Sequence, residues 1–95
     1  MKVHTVIAAL VALLMPVHGT LTQCAGVDRD IKFESSGFLT ADWTQKACAA
    51  SGGLIDPNKK GNKKCCNVSN AGLENFYATC NGQKDPNFYP SVGPC

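Results

Sequence analysis

Beyond residue 19 this sequence contains no histidine, no methionine and no long apolar run. The missing histidine removes the imidazole that serine, cysteine and many nuclease or phospholipase mechanisms use near neutral pH. It also removes the nitrogen ligands of most zinc sites. An excess of charge of one sign is lacking too: the 9 Lys and Arg of the chain, less Lys2, leave 8 against 7 Asp and Glu, a balance of +1 over residues 20–95. That balance gives no electrostatic case for nucleic acid, whose binding shows as a strongly basic face. Without a second apolar run nothing anchors residues 20–95 in a membrane.

The one apolar run, Val6 to Met15, follows Met1-Lys2 and is closed by Pro16-Val17-His18-Gly19. A basic residue, roughly ten apolar residues and a small closing residue make the layout of a secretory signal peptide, too short to span a bilayer. Cleavage is expected after Gly19, with Val17 and Gly19 at the −3 and −1 positions. What remains is a single domain of 76 residues, 20–95, expected to be secreted and monomeric.

All six cysteines lie in that domain. An even number in a short exported chain implies a disulfide framework. So few residues bury too little surface to offset comfortably the entropy of ordering them, roughly 1.5 kcal/mol per residue. A bridge closing a loop of about 15 residues contributes on the order of 3 kcal/mol. Oxidation would leave no thiolate for nucleophilic catalysis or for metal, so no catalytic, metal or cofactor site is expected.

Arg29 to Glu34 alternates polar and apolar residues and reads as a half-buried strand. Thr40 is placed to cap a helix through about Ala50, with Asp42 in its first turn and Trp43, Ala47, Ala50 and Leu54 as its apolar stripe. Gly52 and Gly53 stop it. After a turn-rich loop, residues 56–62, Lys63 to Val68 reads as a second strand whose Cys66 and Val68 face inward and whose Cys65 and Asn67 face outward. Ser69 or Asn70 caps a second helix carrying Leu73, Phe76, Tyr77 and Cys80 at i, i+3, i+4 and i+7, ended by Asn81-Gly82. The proline-rich tail reads as a turn and a short edge strand tied down by Cys95. The order predicts an α+β fold: a small disulfide-rich sandwich with two helices packed on one face of a short antiparallel sheet.

Six cysteines allow 15 pairings, of which the three joining the adjacent Cys65 and Cys66 are geometrically poor. The facing argument prefers Cys48 with Cys66, Cys24 with Cys65 and Cys80 with Cys95. An interleaved set, Cys24 with Cys66, Cys48 with Cys80 and Cys65 with Cys95, stays open.

Among exposed features, Lys59, Lys60, Lys63 and Lys64 lie within six residues and suit an anionic lipid, an acidic polysaccharide or a partner's acidic patch. Phe88 and Tyr89 sit beside prolines in the tail and are candidate contact residues. Trp43, Phe76 and Tyr77 are assigned to the core. Asn67-Val68-Ser69 matches the N-glycosylation sequon. The carboxylates, including Asp28 and Asp30 flanking Arg29, read as solvated charges; calcium would need a spaced oxygen-rich loop.

Cys24, the helix string Lys46-Ala47-Cys48-Ala49-Ala50-Ser51-Gly52-Gly53, the doublet Cys65-Cys66, then Phe76 through Cys80 and Cys95 form a recognisable layout. It resembles the cysteine-rich small secreted proteins of filamentous fungi, many of them apoplastic effectors of plant pathogens. Within that set it is similar to the virally encoded killer toxins of smut fungi and to effectors sharing their α/β sandwich. The resemblance implies a non-enzymatic virulence role outside the cell, through binding a host extracellular protein or cell-wall component. No site residue carries over, because such a class shares a scaffold and not a site. Two other functions fit the residues: an antimicrobial toxin acting through the lysine loop, and a carbohydrate-binding module using Trp43, Phe88 and Tyr89.

Overall fold

The computed structural model describes residues 20–95, so the leader and its cleavage point lie outside the described residues. The elements run β1 (Thr20–Val27), α1 (Phe38–Ser51), β2 (Leu54–Ile55), β3 (Cys66–Val68), α2 (Asn70–Asn81) and β4 (Tyr89–Pro94). The strands lie side by side as β2-β3-β1-β4, every neighbouring pair antiparallel. This β-α-β-β-α-β order is the split β-α-β arrangement. Both helices pack on one face of the sheet and against each other, as the α+β reading requires.

The central strand is not where the alternation places it. Residues 20–27 form β1, whereas Arg29 to Glu34 is a tight hairpin that touches the sheet through one bridge, Val27 to Phe33. The Asp28 carboxylate closes the hairpin by accepting the N–H groups of Asp30 and Lys32, both at 2.9 Å. Along β1 the residues facing the helices are Thr22, Cys24 and Gly26, by the two-residue period of a strand. Leu21, Gln23, Ala25 and Val27 face the other way. The helix-facing set is the less apolar of the two, which inverts the pattern a half-buried strand normally shows.

Beyond Thr22 the strand β3 stops pairing with β1. Two threonines of α1 take its place. Thr44 Oγ1 accepts the Cys24 N–H at 2.9 Å and donates to the Cys24 carbonyl at 3.3 Å, and Thr40 Oγ1 accepts the Gly26 N–H at 3.1 Å. Residues four apart share a helix face, so one row of hydroxyls meets the polar edge of a strand that would otherwise be buried unpaired. Thr40 is therefore not the helix cap; it is the third residue of α1. Asp42 lies past the first turn and forms an exposed i,i+4 ion pair with Lys46 at 3.0 Å.

The helix starts on Gly37, whose φ of 79° suits glycine. It ends on Gly52 in the left-handed region, φ 74°. Its buried residues are Thr40, Ala41, Trp43, Thr44, Ala47 and Cys48; Ala50 and Leu54 of the expected stripe are exposed. In α2, Phe76 and Cys80 are buried, Leu73 is half-buried and Tyr77 is exposed.

Four of the eight residues in the core cluster are cysteines, joined by Trp43, Ala47, Val68 and Phe76. Sulfur thus fills space that aliphatic side chains fill in a larger domain. The bridges are Cys24–Cys80, Cys48–Cys66 and Cys65–Cys95, with Cα separations of 5.6, 5.5 and 6.0 Å. The Cys48–Cys66 bridge agrees with the facing argument. The preferred Cys24–Cys65 and Cys80–Cys95 pairs do not form, because Cys24 faces the helices with Cys66 while Cys65 faces away. Cys65 precedes β3 and Cys95 follows β4, so their bond straps the two strands that flank β1.

The tail is an edge strand, as expected, but a long one: Thr22 to Val27 of β1 pair with β4 throughout. Cys24 and Gly26 direct their N–H groups at α1, away from β4. Their partners Val92 and Pro90, and Pro94 opposite Thr22, therefore turn their nitrogens to the free edge.

Candidate binding cleft

The β1–α1 connection, residues 28–37, and the β2–β3 connection, residues 56–65, meet beside the N-terminus of α1. Asn62 Nδ2 donates to the Ser36 carbonyl at 3.1 Å. A Cβ on Gly37 would stand 3.3 Å from Asn62 Cβ, so the loops clasp tightly. Two adjoining hollows share Glu34, Gly37, Lys59, Asn62 and Lys63 in their linings, with cavity volumes of about 790 and 390 Å3. Lys60 and Asn58 extend the larger one; Phe33, Lys64 and the Cys65–Cys95 bridge extend the smaller.

Glu34 shapes one wall. Its carboxylate accepts the Ser36 N–H at 2.6 Å through Oε2 and the Leu39 N–H at 3.0 Å through Oε1. Ser36 Oγ accepts the Phe38 N–H at 3.1 Å. Between them Glu34 and Ser36 satisfy two of the donors that open a helix. Hydrogen bonds, that to the Ser36 side chain foremost and then those to the Leu39 and Ser36 N–H groups, hold the Glu34 pKa below the usual carboxylate range.

Lys59, Lys60 and Lys63 are exposed and Lys64 is half-buried. Among the described residues none of the four forms an ion pair; Lys46 with Asp42 is the pair present. Phe88, expected at the surface, instead packs against the core cluster. Trp43 is only 3% exposed. Of the three aromatics suited to a sugar platform, Tyr89 alone is exposed, and it lines a separate hollow with Asp28, Arg29 and Asp30. The lysine run and the Phe88-Tyr89 pair thus do not make one surface.

Phe33 and Glu34 complete the cleft, and reading residues 29–34 as a strand hides them. The string Ser35-Ser36-Gly37 before the helix is the local signal, since serine favours helix starts and turns and glycine takes the left-handed conformation at the cap. Asn67 is exposed on the outer sheet face, as its alternation predicts, opposite exposed Leu21 on one side and Leu54 on the other. Comparison with known proteins returns no matching family model, no matching curated protein and no matching solved structure.

Proposed function

We propose that this protein is a secreted, non-enzymatic effector of the fungal small-secreted-protein kind, acting outside the cell by binding a host plant component and modulating immunity. The observation that carries the reading is the cleft: a preformed concavity with four unpaired lysines on a body cross-linked by three disulfides. Disulfides persist in oxidising compartments, and among the described residues no helix is long and apolar enough to cross a membrane. The leader layout supports export. The lack of histidine after residue 19 supports binding over catalysis. An exposed Asn67 in an Asn-Val-Ser sequon supports glycosylation during that export.

The test is infiltration of purified residues 20–95 into leaves, scoring cell death and the elicited oxidative burst. Induction of death or suppression of the burst is expected. Neither response across several hosts overturns the reading.

One observation favours a second reading, an antimicrobial toxin. Exposed Phe33 lines the smaller hollow with the lysines, and exposed Phe38 follows the lining residue Gly37 in the chain; apolar groups beside cations suit an anionic cell surface. Growth inhibition of competitor microbes, lost when Lys59, Lys60, Lys63 and Lys64 become Gln, would establish it, and an inert wild-type protein would dismiss it.

A further inference from the structure

We infer that the cleft between residues 33–37 and 58–64 binds the carboxylate-bearing chain of an acidic polysaccharide, a polyuronate. The inference rests on taking this cleft as the binding site of the proposed function and names the chemistry of its occupant.

Charge comes first. Five of the seven carboxylates are already engaged within the fold. Asp28, Glu34, Asp56 and Asp85 each accept backbone N–H groups, and Asp42 pairs with Lys46. Among the described residues no carboxylate lies within ion-pair distance of the cleft lysines; Glu34, the acid in the lining, has both oxygens turned to the start of α1, and its single negative charge leaves the lining with a clear positive excess. Four like charges within six residues repel one another, and an anion with several separated charges relieves that repulsion at every contact.

Shape narrows the choice. Two adjoining hollows along a pair of clasped loops suit an extended chain better than a single small anion. A chain can follow both hollows along their length, whereas a flat bilayer meets only their exposed rim. The neutral lining points to sugar: the exposed ring of Phe33 offers an apolar face for a sugar ring, and the amide of Asn58 and the hydroxyl of Ser35 supply donors and acceptors for hydroxyl groups. The cations are all lysine, a compact point charge on a flexible stem, without the rigid fork by which arginine grips one planar anion. Such mobile charges suit anionic groups spaced along a chain. The near-neutral balance of residues 20–95 also argues against a nucleic acid, which would draw on a wider basic face.

The experiment is affinity electrophoresis of residues 20–95 through gels containing polygalacturonate or its methyl-esterified form, with sedimentation on phosphatidylserine-containing vesicles as a parallel arm. Retardation by polygalacturonate at low ionic strength is expected, weakening as salt is added. The methyl ester, which keeps the backbone and removes the charge, should retard it little. The triple variant K59Q/K60Q/K63Q changes only exposed side chains, so it should unfold like wild type and lose about tenfold in affinity. Phe33→Ala should lose about threefold with no change in salt dependence.

Equal retardation by the methyl ester, no retardation by polygalacturonate, or binding to vesicles alone would each overturn the assignment. If the wild-type protein evokes the leaf response yet ignores polygalacturonate, the inference fails and the proposed function stands. Retardation without any leaf response leaves the inference in place and removes the proposed function.

Discussion

Ile31 holds a strained backbone geometry. Its φ is 62°, it is the sole non-glycine with positive φ among the described residues, and its side chain is 79% exposed. A β-branched residue in the left-handed region is strained by about 1–2 kcal/mol, where asparagine is tolerated. Little burial would be lost on replacing it. Ile31→Asn should therefore stabilise the fold by about 1 kcal/mol, a rise of roughly 4–8 °C in Tm for a domain of this size. A thermal scan with the disulfides intact measures it, and an unchanged or lower Tm would show that Ile31 is not strained.

Glu34 makes stability depend on acid in a definite direction. Its pKa is lowered in the folded protein by the N–H groups and hydroxyl around it. A lowered carboxylate pKa adds stability above the unfolded value, about 4.3, and that stability is lost as pH falls through the folded value. Tm should thus fall on acidification below about pH 4. Glu34→Gln should start lower at neutral pH and show a shallower fall, read from a series of melts. A slope equal to that of wild type would exclude Glu34 as the source.

Among the elements, the helices are legible in the sequence because their signals are local. Gly52 stops α1 by its own φ, and Phe76 and Cys80 keep helical spacing in α2. Strand β1 is hidden because Thr22, Cys24 and Gly26 face the helices and hydropathy marks none of them as a stripe. Strand β2 has two residues, too few for any period. The lysine run is plain in the sequence, yet its opposite wall is not: the Asn62–Ser36 hydrogen bond joins residues 26 apart, and no local pattern encodes it.

The threonine row of α1 holds the free edge of β1. Thr44→Val keeps the shape and leaves both polar groups of Cys24 without the hydroxyl that now meets them. A buried, unsatisfied backbone group costs about 1–3 kcal/mol. Urea unfolding should report a loss in that range for Thr44→Val. A loss below about 0.5 kcal/mol would mean that the strand edge is solvated or paired another way. Asn67 stands exposed in its sequon on β3. Expressed through a eukaryotic secretory pathway, the wild-type protein should lose mass on enzymatic deglycosylation, and Asn67→Gln should not.

For the molecule as a whole, the three bridges differ in reach and shelter. They span 56, 18 and 30 residues for Cys24–Cys80, Cys48–Cys66 and Cys65–Cys95. Loop closure assigns them about 4.2, 3.2 and 3.6 kcal/mol respectively. Cys24, Cys80, Cys48 and Cys66 are buried, whereas Cys95 is exposed. Reductant should reach Cys65–Cys95 first, so mild thiol treatment followed by alkylation should label Cys65 and Cys95 before any other cysteine. Labelling of Cys24 or Cys80 at the same rate would contradict the burial. Replacing Cys65 and Cys95 by Ser should leave a folded protein of lower Tm, while replacing Cys24 and Cys80 removes both the longest loop constraint and core volume and should unfold it.

The outer margin of β4 is poor in hydrogen-bond donors. Of the three backbone nitrogens it turns outward, those of Pro90 and Pro94 carry no hydrogen, so Val92 is left as the lone donor along that stretch. An incoming strand would meet the outward carbonyls but only one N–H, so two donors of a normal ladder are missing. Fibril growth and sticking between copies are thereby starved at their first step, and a concentrated solution of this molecule should stay clear where a version with threonine at positions 90 and 94 clouds.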